Sequence, residues 1–211
     1  MNAKCGQGFG SCPRGQCCNK DGECGSDDTF CSITNGCQIE FGECRCGPEL
    51  GSCPSGFCCS INGWCGTDYN YCSASMGCHP EYGECRCGNN QFGSCPMGLC
   101  CSRNGWCGLD PDYCSVSKGC QLELGECRCG PEYGSCPNGL CCSRFGWCGS
   151  DSDYCSASKG CQSEYGECRC GSDEFGSCPE GLCCSQYGWC GSDANYCSAS
   201  MGCQSEFGEC I

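Results

Sequence analysis

Hydrophobic residues in this chain follow neither the two-residue period of a strand nor the 3.6-residue period of a helix over any sustained stretch. Glycine occurs 36 times and proline nine times, which suits tight turns in irregular chain rather than long helices. Asp21-Gly22, Asn62-Gly63 and Asn104-Gly105 are hairpin signals. Asp68–Cys72, Asp110–Cys114, Asp151–Cys155 and Asp193–Cys197 are each predicted to form one helical turn, with the leading aspartate as its N-cap. The period that does recur is longer. The motif Cys-Cys-Ser-x-x-Gly-Trp-Cys-Gly-x-x-x-x-Tyr-Cys starts at Cys58, Cys100, Cys141 and Cys183, and an altered copy starts at Cys17, at intervals of 41 or 42 residues.

Composition explains why no ordinary period is present. Leu, Ile, Val and Phe together number 20 among 211 residues, too little apolar surface to offset chain entropy. The chain also holds 40 cysteines, so cross-links must supply the order. Each repeat has eight, in sets that begin at Cys5, Cys46, Cys87, Cys129 and Cys170. A single arginine (Arg45, Arg86, Arg128 or Arg169) separates one set from the next, giving repeats 1–45, 46–86, 87–128, 129–169 and 170–211. One residue is no flexible tether, so the repeats are expected to abut with fixed relative orientation. The arginines are expected to pair with neighbouring acids; the alternative is a ligand contact near a junction. A repeat this short cannot build an ordinary core. Four bridges per repeat replace it, each giving roughly 3 kcal/mol for a loop of about 15 residues in the chain-entropy model. Sequence alone does not choose among the possible pairings of eight cysteines.

The cysteine content points to an oxidising compartment, secreted, extracellular or vacuolar. The four residues before Cys5 are too few for a signal peptide, so secretion implies a leader removed or left out. A formal charge of −14 without a basic cluster argues against nucleic acid and anionic membrane as partners. No run of 18 apolar residues is present to span a membrane. A thiolate metal store would use the Cys-x-Cys pairs, such as Cys44/Cys46, but gives no role to nine Tyr, eight Phe and four Trp at fixed repeat positions. Zinc modules need histidine at set spacings, and His79 stands alone. No cofactor is expected.

The motif itself carries chemistry. Repeat 2 places Ser60, Asn62, Trp64 and Tyr71 in it, repeat 3 Ser102, Asn104, Trp106 and Tyr113. Repeat 4 has Ser143, Phe145, Trp147 and Tyr154, and repeat 5 has Ser185, Tyr187, Trp189 and Tyr196. Repeat 1 has Asn19, Asp21, Glu23 and Phe30 instead. In the four intact copies both the tryptophan and the tyrosine directly precede a cysteine, so their backbones are anchored and ordering them on binding costs little. A pyranose offers a flat C–H face to such rings, and the hydroxyls can bond an acetamido group. The competing role for these rings is a mini-core. Phe9, Leu50, Phe92, Tyr133 and Phe175, which recur before the second cysteine, are the better core candidates.

The eight-cysteine pattern with its Cys-Cys pair and Ser-x-aromatic-Gly-aromatic-Cys…Tyr-Cys motif resembles the hevein-type chitin-binding domain family over residues 5–210. The resemblance implies a small disulfide-rich fold: a tandem array of five knottin-like hevein domains, four disulfides each, with little regular secondary structure. It implies pairing of first to fourth, second to fifth, third to sixth and seventh to eighth cysteines. In repeat 4 these are Cys129–Cys142, Cys136–Cys148, Cys141–Cys155 and Cys161–Cys168. It also implies binding of N-acetylglucosamine, chitin oligomers and related glycoconjugates through the serine and rings named above, and favours a homodimer.

Departures from the family pattern grade the repeats. Asn62 and Asn104 stand where the family has its first ring, so weaker sites are expected in repeats 2 and 3. Repeat 1 is expected to have no primary site. The loop between the seventh and eighth cysteines is longer than is usual and ends in an acid, Glu43, Glu84, Glu126, Glu167 or Glu209. Those acids are expected to be solvated charges, with acceptance of a sugar hydroxyl as the alternative.

A non-catalytic multivalent lectin follows, with cross-linking and defence as the implied role. Its acidity predicts a preference for neutral over sialylated glycans. A chitinase would need two carboxylates flanking one bond, and no acid here stands out with a partner. A disulfide-rich toxin or protease inhibitor is the remaining alternative, and it needs no repeated Ser–Trp–Tyr face.

Overall fold

The computed structural model describes residues 3–89 and 91–211. It divides into two compact units, Met1–Gly108 and Leu109–Ile211, so the division falls inside the third repeat.

The local architecture of each repeat is set by its cysteines. In repeat 2, Cys58–Cys59 and Cys65–Gly66 form an antiparallel pair with Cys59 opposite Cys65. A single helical turn, Tyr69–Cys72, follows, then a 3₁₀ turn, Ala74–Met76. Equivalent strand pairs join Cys17–Cys18 to Cys24–Gly25, Cys141–Cys142 to Cys148–Gly149 and Cys183–Cys184 to Cys190–Gly191. In repeats 1, 2, 4 and 5 the disulfides join first to fourth, second to fifth, third to sixth and seventh to eighth cysteines, as the resemblance implied. Cys87–Cys101, Cys95–Cys107 and Cys120–Cys127 continue the scheme in repeat 3. The buried core is almost entirely cysteine; Leu124 is the one buried aliphatic side chain among the described residues.

The hairpins do not depend on asparagine. The Gly63 N–H donates to Ser60 O at 2.8 Å and the Ser60 N–H to Trp64 O at 2.9 Å, with Gly63 at φ 73°. Repeats 4 and 5 close the same turn over Phe145-Gly146 and Tyr187-Gly188, with both glycines at φ 77°. Glycine at the left-handed position is the requirement. The residue before it is free to be a ring, so the Asn-Gly signal found only part of the set.

The one-turn helices form where expected, but the capping bond does not. Asp68, Asp110, Asp151 and Asp193 hold the N-cap position without a side-chain hydrogen bond. Their carbonyls accept the first helical amides instead, as Asp68 O does from Tyr71 and Cys72. Asp27, in repeat 1, does cap its helix through the side chain, accepting from the Thr29 N–H.

The junctions correct two expectations. The linking arginines are pinned between rings rather than paired generally with acids. The Arg169 guanidinium carbon lies 4.2 Å from the Phe175 ring centroid and 5.4 Å from that of Trp189. Arg86 lies between Phe92 and Trp106, and Arg128 between Tyr133 and Trp147. The Arg128 Nη1–H also donates to the Tyr133 hydroxyl at 2.9 Å. At the first junction Leu50 stands in the ring's place, and among the described residues only there does the arginine bond an acid: Arg45 meets Asp28 at 2.6 Å. The Nε of all four arginines is buried without a hydrogen-bond partner among the described residues, so on that side the ring faces take the charge.

Leu50, Phe92, Tyr133 and Phe175 are therefore not cores of their own repeats. Each belongs to a loop that covers the repeat before it, whose buried serine (Ser32, Ser73, Ser115 or Ser156) donates to that residue's carbonyl. Phe9, the equivalent residue of repeat 1, is 71% exposed. At the same point of repeat 1, where Arg and Trp would meet, Lys4 and Glu23 form an ion pair at 3.0 Å.

Replacing Arg169 with alanine is expected to weaken the repeat 4–5 junction by about 1–2 kcal/mol, the sum of two part-buried cation–π contacts. Hydrogen exchange at Ser158, whose N–H donates to Phe175 O at 2.9 Å, then speeds up roughly fivefold to thirtyfold. Arg169→Lys does not restore protection, because an ammonium lacks the planar faces that two rings can sandwich. Unchanged exchange in Arg169→Ala shows that the stack contributes nothing.

Candidate functional site

In repeat 4 the site is assembled on the hairpin and the helical turn that the disulfides hold together. Ser143 follows the first strand directly, Phe145 stands at the turn, Trp147 opens the return and Tyr154 precedes the last helical cysteine. Ser143 is buried, and its Oγ accepts the Trp147 N–H at 3.2 Å. No described residue takes its hydroxyl proton, which leaves a donor for a ligand oxygen. Phe145 is 66% exposed. Tyr154 lies flat over Gly149, where an added Cβ would come within 2.5–2.7 Å of the ring carbons, so glycine is required there. These four residues line one open cleft of about 480 Å³ together with Arg144, Asp153, Ser158 and Lys159.

Repeat 5 repeats the arrangement. The Trp189 N–H donates to Ser185 Oγ at 3.2 Å, Tyr187 is 76% exposed and Tyr196 lies over Gly191 at 2.6–2.7 Å from a would-be Cβ. Repeat 2 has the same bond from Trp64 to Ser60 and the same Tyr71 over Gly66, with exposed Asn62 at the turn. In repeat 3 the Trp106 N–H donates to Ser102 Oγ at 3.1 Å and Asn104 is exposed. Tyr113 is half-buried and belongs to the second compact unit.

The tryptophans serve two ends. Trp106 packs against the repeat 2 cysteine cluster Cys58, Cys72, Cys78 and Cys85, and Trp189 against Cys141, Cys155, Cys161 and Cys168 of repeat 4. One side of each ring thus seals a junction, so the mini-core role weighed for these rings is met in part, across the repeat boundary rather than within the repeat.

Repeat 1 keeps the frame and loses the surface. The Asn19 Oδ1 accepts the Asp21 and Glu23 N–H groups, the work done elsewhere by the serine Oγ. Phe30 still lies over Gly25. The cleft there is larger, about 610 Å³, but Asn19, Lys20, Asp21 and Thr29 line it and no ring does.

Two supports were missed in the sequence. Gln162 Nε2–H and Gln204 Nε2–H donate at 2.7 Å to the carbonyls of Ser143 and Ser185, tying each site loop from behind. Gln38 does the same to Asn19 O, while His79 stands in the equivalent place with Nε2 3.4 Å from Ile61 O. Glutamine directly after the seventh cysteine in four repeats was the available signal. The glutamates before the eighth cysteine are exposed, as expected, with Glu84 half-buried, but four of them also have a structural bond. Glu43, Glu84, Glu167 and Glu209 accept the backbone N–H of Gly15, Gly56, Gly139 and Gly181 at 2.8–3.2 Å, clamping a turn.

The charges at the repeat 4 cleft do not suit acid–base work. Lys159 donates to Asp153 at 2.7 Å, and this bond, then the Coulomb attraction, holds the carboxyl below its ordinary value. A general acid needs the opposite shift. Cysteine sulfurs gather in threes, as at Cys129, Cys136 and Cys148, but every one of these is bonded in a disulfide and leaves no thiolate for a metal. No helix of the described residues is long and apolar enough to cross a membrane.

A search of the curated proteins returns no match. A family model described as "Chitin recognition protein" matches residues 86–127, 128–168 and 169–210, more than half of the chain. Each matched stretch begins at a linking arginine and takes in one serine–tryptophan–tyrosine motif. The disulfide frame, the exposed rings over a hydroxyl-bearing cleft and this threefold match agree: the chain belongs to the chitin recognition protein family.

Proposed function

We propose that the protein is a non-catalytic, multivalent lectin that binds N-acetylglucosamine, chitin oligomers and glycoconjugates with N-acetylated sugars. The observation that carries this is the convergence of Ser143, Phe145, Trp147 and Tyr154 on one open cleft, in a frame that repeat 5 shares. Trp147 and Tyr154 receive the apolar face of a pyranose, and the Ser143 hydroxyl donates to the acetamido carbonyl. Phe145 takes the next residue of an oligomer.

The sites are graded. Repeats 4 and 5 offer three rings, repeats 2 and 3 two, and repeat 1 none at the tryptophan and turn positions. One shallow site holds a sugar at about mM, near −4 kcal/mol. Several on one chain raise avidity for a polymer by roughly 10²–10⁴, which lets the protein cross-link polymer-bearing surfaces. A homodimer would extend that reach. Defence, from a secreted or vacuolar location, is the biological role this reading fits.

The turn residue is the cleanest place to test the grading, because it is exposed and outside the junction. Tyr187→Asn is expected to weaken chitotriose binding at repeat 5 about threefold to tenfold, the loss of one ring contact. Asn62→Tyr is expected to strengthen repeat 2 by a similar factor. NMR titration with chitotriose, following each repeat's tryptophan indole N–H, reads both changes site by site. Strong binding at repeat 1, or none at repeats 4 and 5, overturns the grading.

Gly149→Ala tests the frame. The new methyl displaces Tyr154, so binding at repeat 4 drops about tenfold or more while repeat 5 keeps its affinity. Equal affinity at both repeats in the same titration shows that Tyr154 is no part of the site.

A further inference from the structure

The residue after the motif serine (or Asn19, in its place) varies between repeats although its place does not. An added Cβ on Gly160 would lie 3.2 Å from Arg144 Cβ, and one on Gly202 3.0 Å from Gln186 Cβ. Gly36 and Gly77 meet Lys20 and Ile61 in the same way. One spot in the frame, against the glycine that ends the 3₁₀ turn, therefore carries Lys20, Ile61, Arg144 or Gln186.

In repeat 4 this spot is on the rim of the sugar cleft. The Arg144 guanidinium carbon sits 4.5 Å from the Phe145 ring centroid. Stacking of that kind occupies a planar face and leaves the edge N–H groups for a planar anion. The other charges of the cleft cancel, since Lys159 is bonded to Asp153, which stays ionised. Glu132 lines the groove beyond Phe145, and among the described residues no carboxylate forms an ion pair with Arg144. The repeat 4 cleft thus has one surplus positive charge in a chain of formal charge −14. Repeat 5 has Gln186, Asn195 and Met201 at the positions of Arg144, Asp153 and Lys159, and no formal charge there.

We propose that repeat 4 selects N-acetylated sugars that bear a carboxylate, with Arg144 as the specificity-determining residue that bonds it. This rests on the sugar-binding reading of the cleft given above. The chemistry fits two sources: N-acetylmuramic acid of a peptidoglycan strand, and N-acetylneuraminic acid at the end of a glycoprotein glycan. It makes repeat 4 a local exception to the preference for neutral glycans expected from the net charge, and repeat 3, with Arg103, Asp112 and Lys118 at the same positions and Lys118 bonded to Asp112, is expected to share it.

The test is an NMR titration of the full chain, following the Trp147 and Trp189 indole N–H signals. Probes are the methyl glycosides of N-acetylglucosamine, N-acetylmuramic acid and N-acetylneuraminic acid. At repeat 4 at least one acidic sugar is expected to bind about threefold to tenfold tighter than N-acetylglucosamine, an advantage that shrinks in 1 M salt. The tighter of the two names the source. At repeat 5 neither acidic sugar gains. Arg144→Gln is expected to abolish the advantage and Gln186→Arg to create one at repeat 5, each read as the ratio of acidic to neutral affinity. Equal affinities in the unaltered protein, or a ratio that Arg144→Gln leaves unchanged, overturn the proposal. If N-acetylglucosamine and chitotriose also fail to shift Trp147, the sugar-binding reading is what has failed.

Discussion

Disulfide bonds stand in this protein where others place leucine and valine, and every other feature follows from that substitution. A sulfur bridge fixes a pair of backbone points without needing a surrounding volume of apolar atoms. Buried cysteines fill the interior almost alone, and the bridged loops span only 7 to 14 residues. Strands of two or three residues and helices of one turn, too short to persist by themselves, are held because a cysteine in each is tied to another. The aromatic residues are thereby released from the interior. A chain with so few aliphatic side chains can place most of its rings at junctions and in clefts.

The junctions spend some of that freedom. A guanidinium between two ring faces joins consecutive repeats with a contact that is flat, partly desolvated and independent of any acid. The ion pair at Arg45 appears where Leu50 replaces the ring. At the start of repeat 1 the same geometric position holds Lys4 and Glu23, cation and anion replacing cation and ring together. These exchanges within one chain show that the position demands a partner for the cation and tolerates different kinds. Trp147 also lines the repeat 4 cleft, so there the stiffness of the cleft and that of the junction come from one contact.

Much of this was legible in the residues and some was not. The repeat and the gathering of Ser143, Phe145, Trp147 and Tyr154 follow from spacing, because cysteines on either side leave those side chains little choice, whereas the pairing of the cysteines came only with the family resemblance. Phe92, Tyr133 and Phe175 were misassigned as local cores because their partner lies in the preceding linker, and no charge or apolar complement marks it. The aspartates were correctly placed at helix starts, but a carbonyl, which sequence does not display, makes their bonds. The bond of Glu167 and the role of Gln162 went unread because their partners are backbone groups of distant turns. In both cases the recurrence at one position in successive repeats was the trace left in the sequence.

The tryptophan of each intact repeat rests on the arginine that precedes that repeat's first cysteine, and this puts the structural module out of phase with the covalent one. Counted by disulfides, a module runs from first to eighth cysteine; counted by what holds a site rigid, it begins one residue earlier and leans on its upstream neighbour. The array accordingly has a direction. Each linking arginine supports the tryptophan of the repeat that follows it, and repeat 1, with Lys4 before its first cysteine, has Glu23 at the tryptophan position. A repeat copied or moved elsewhere would keep the contact behind its tryptophan only if its arginine came with it.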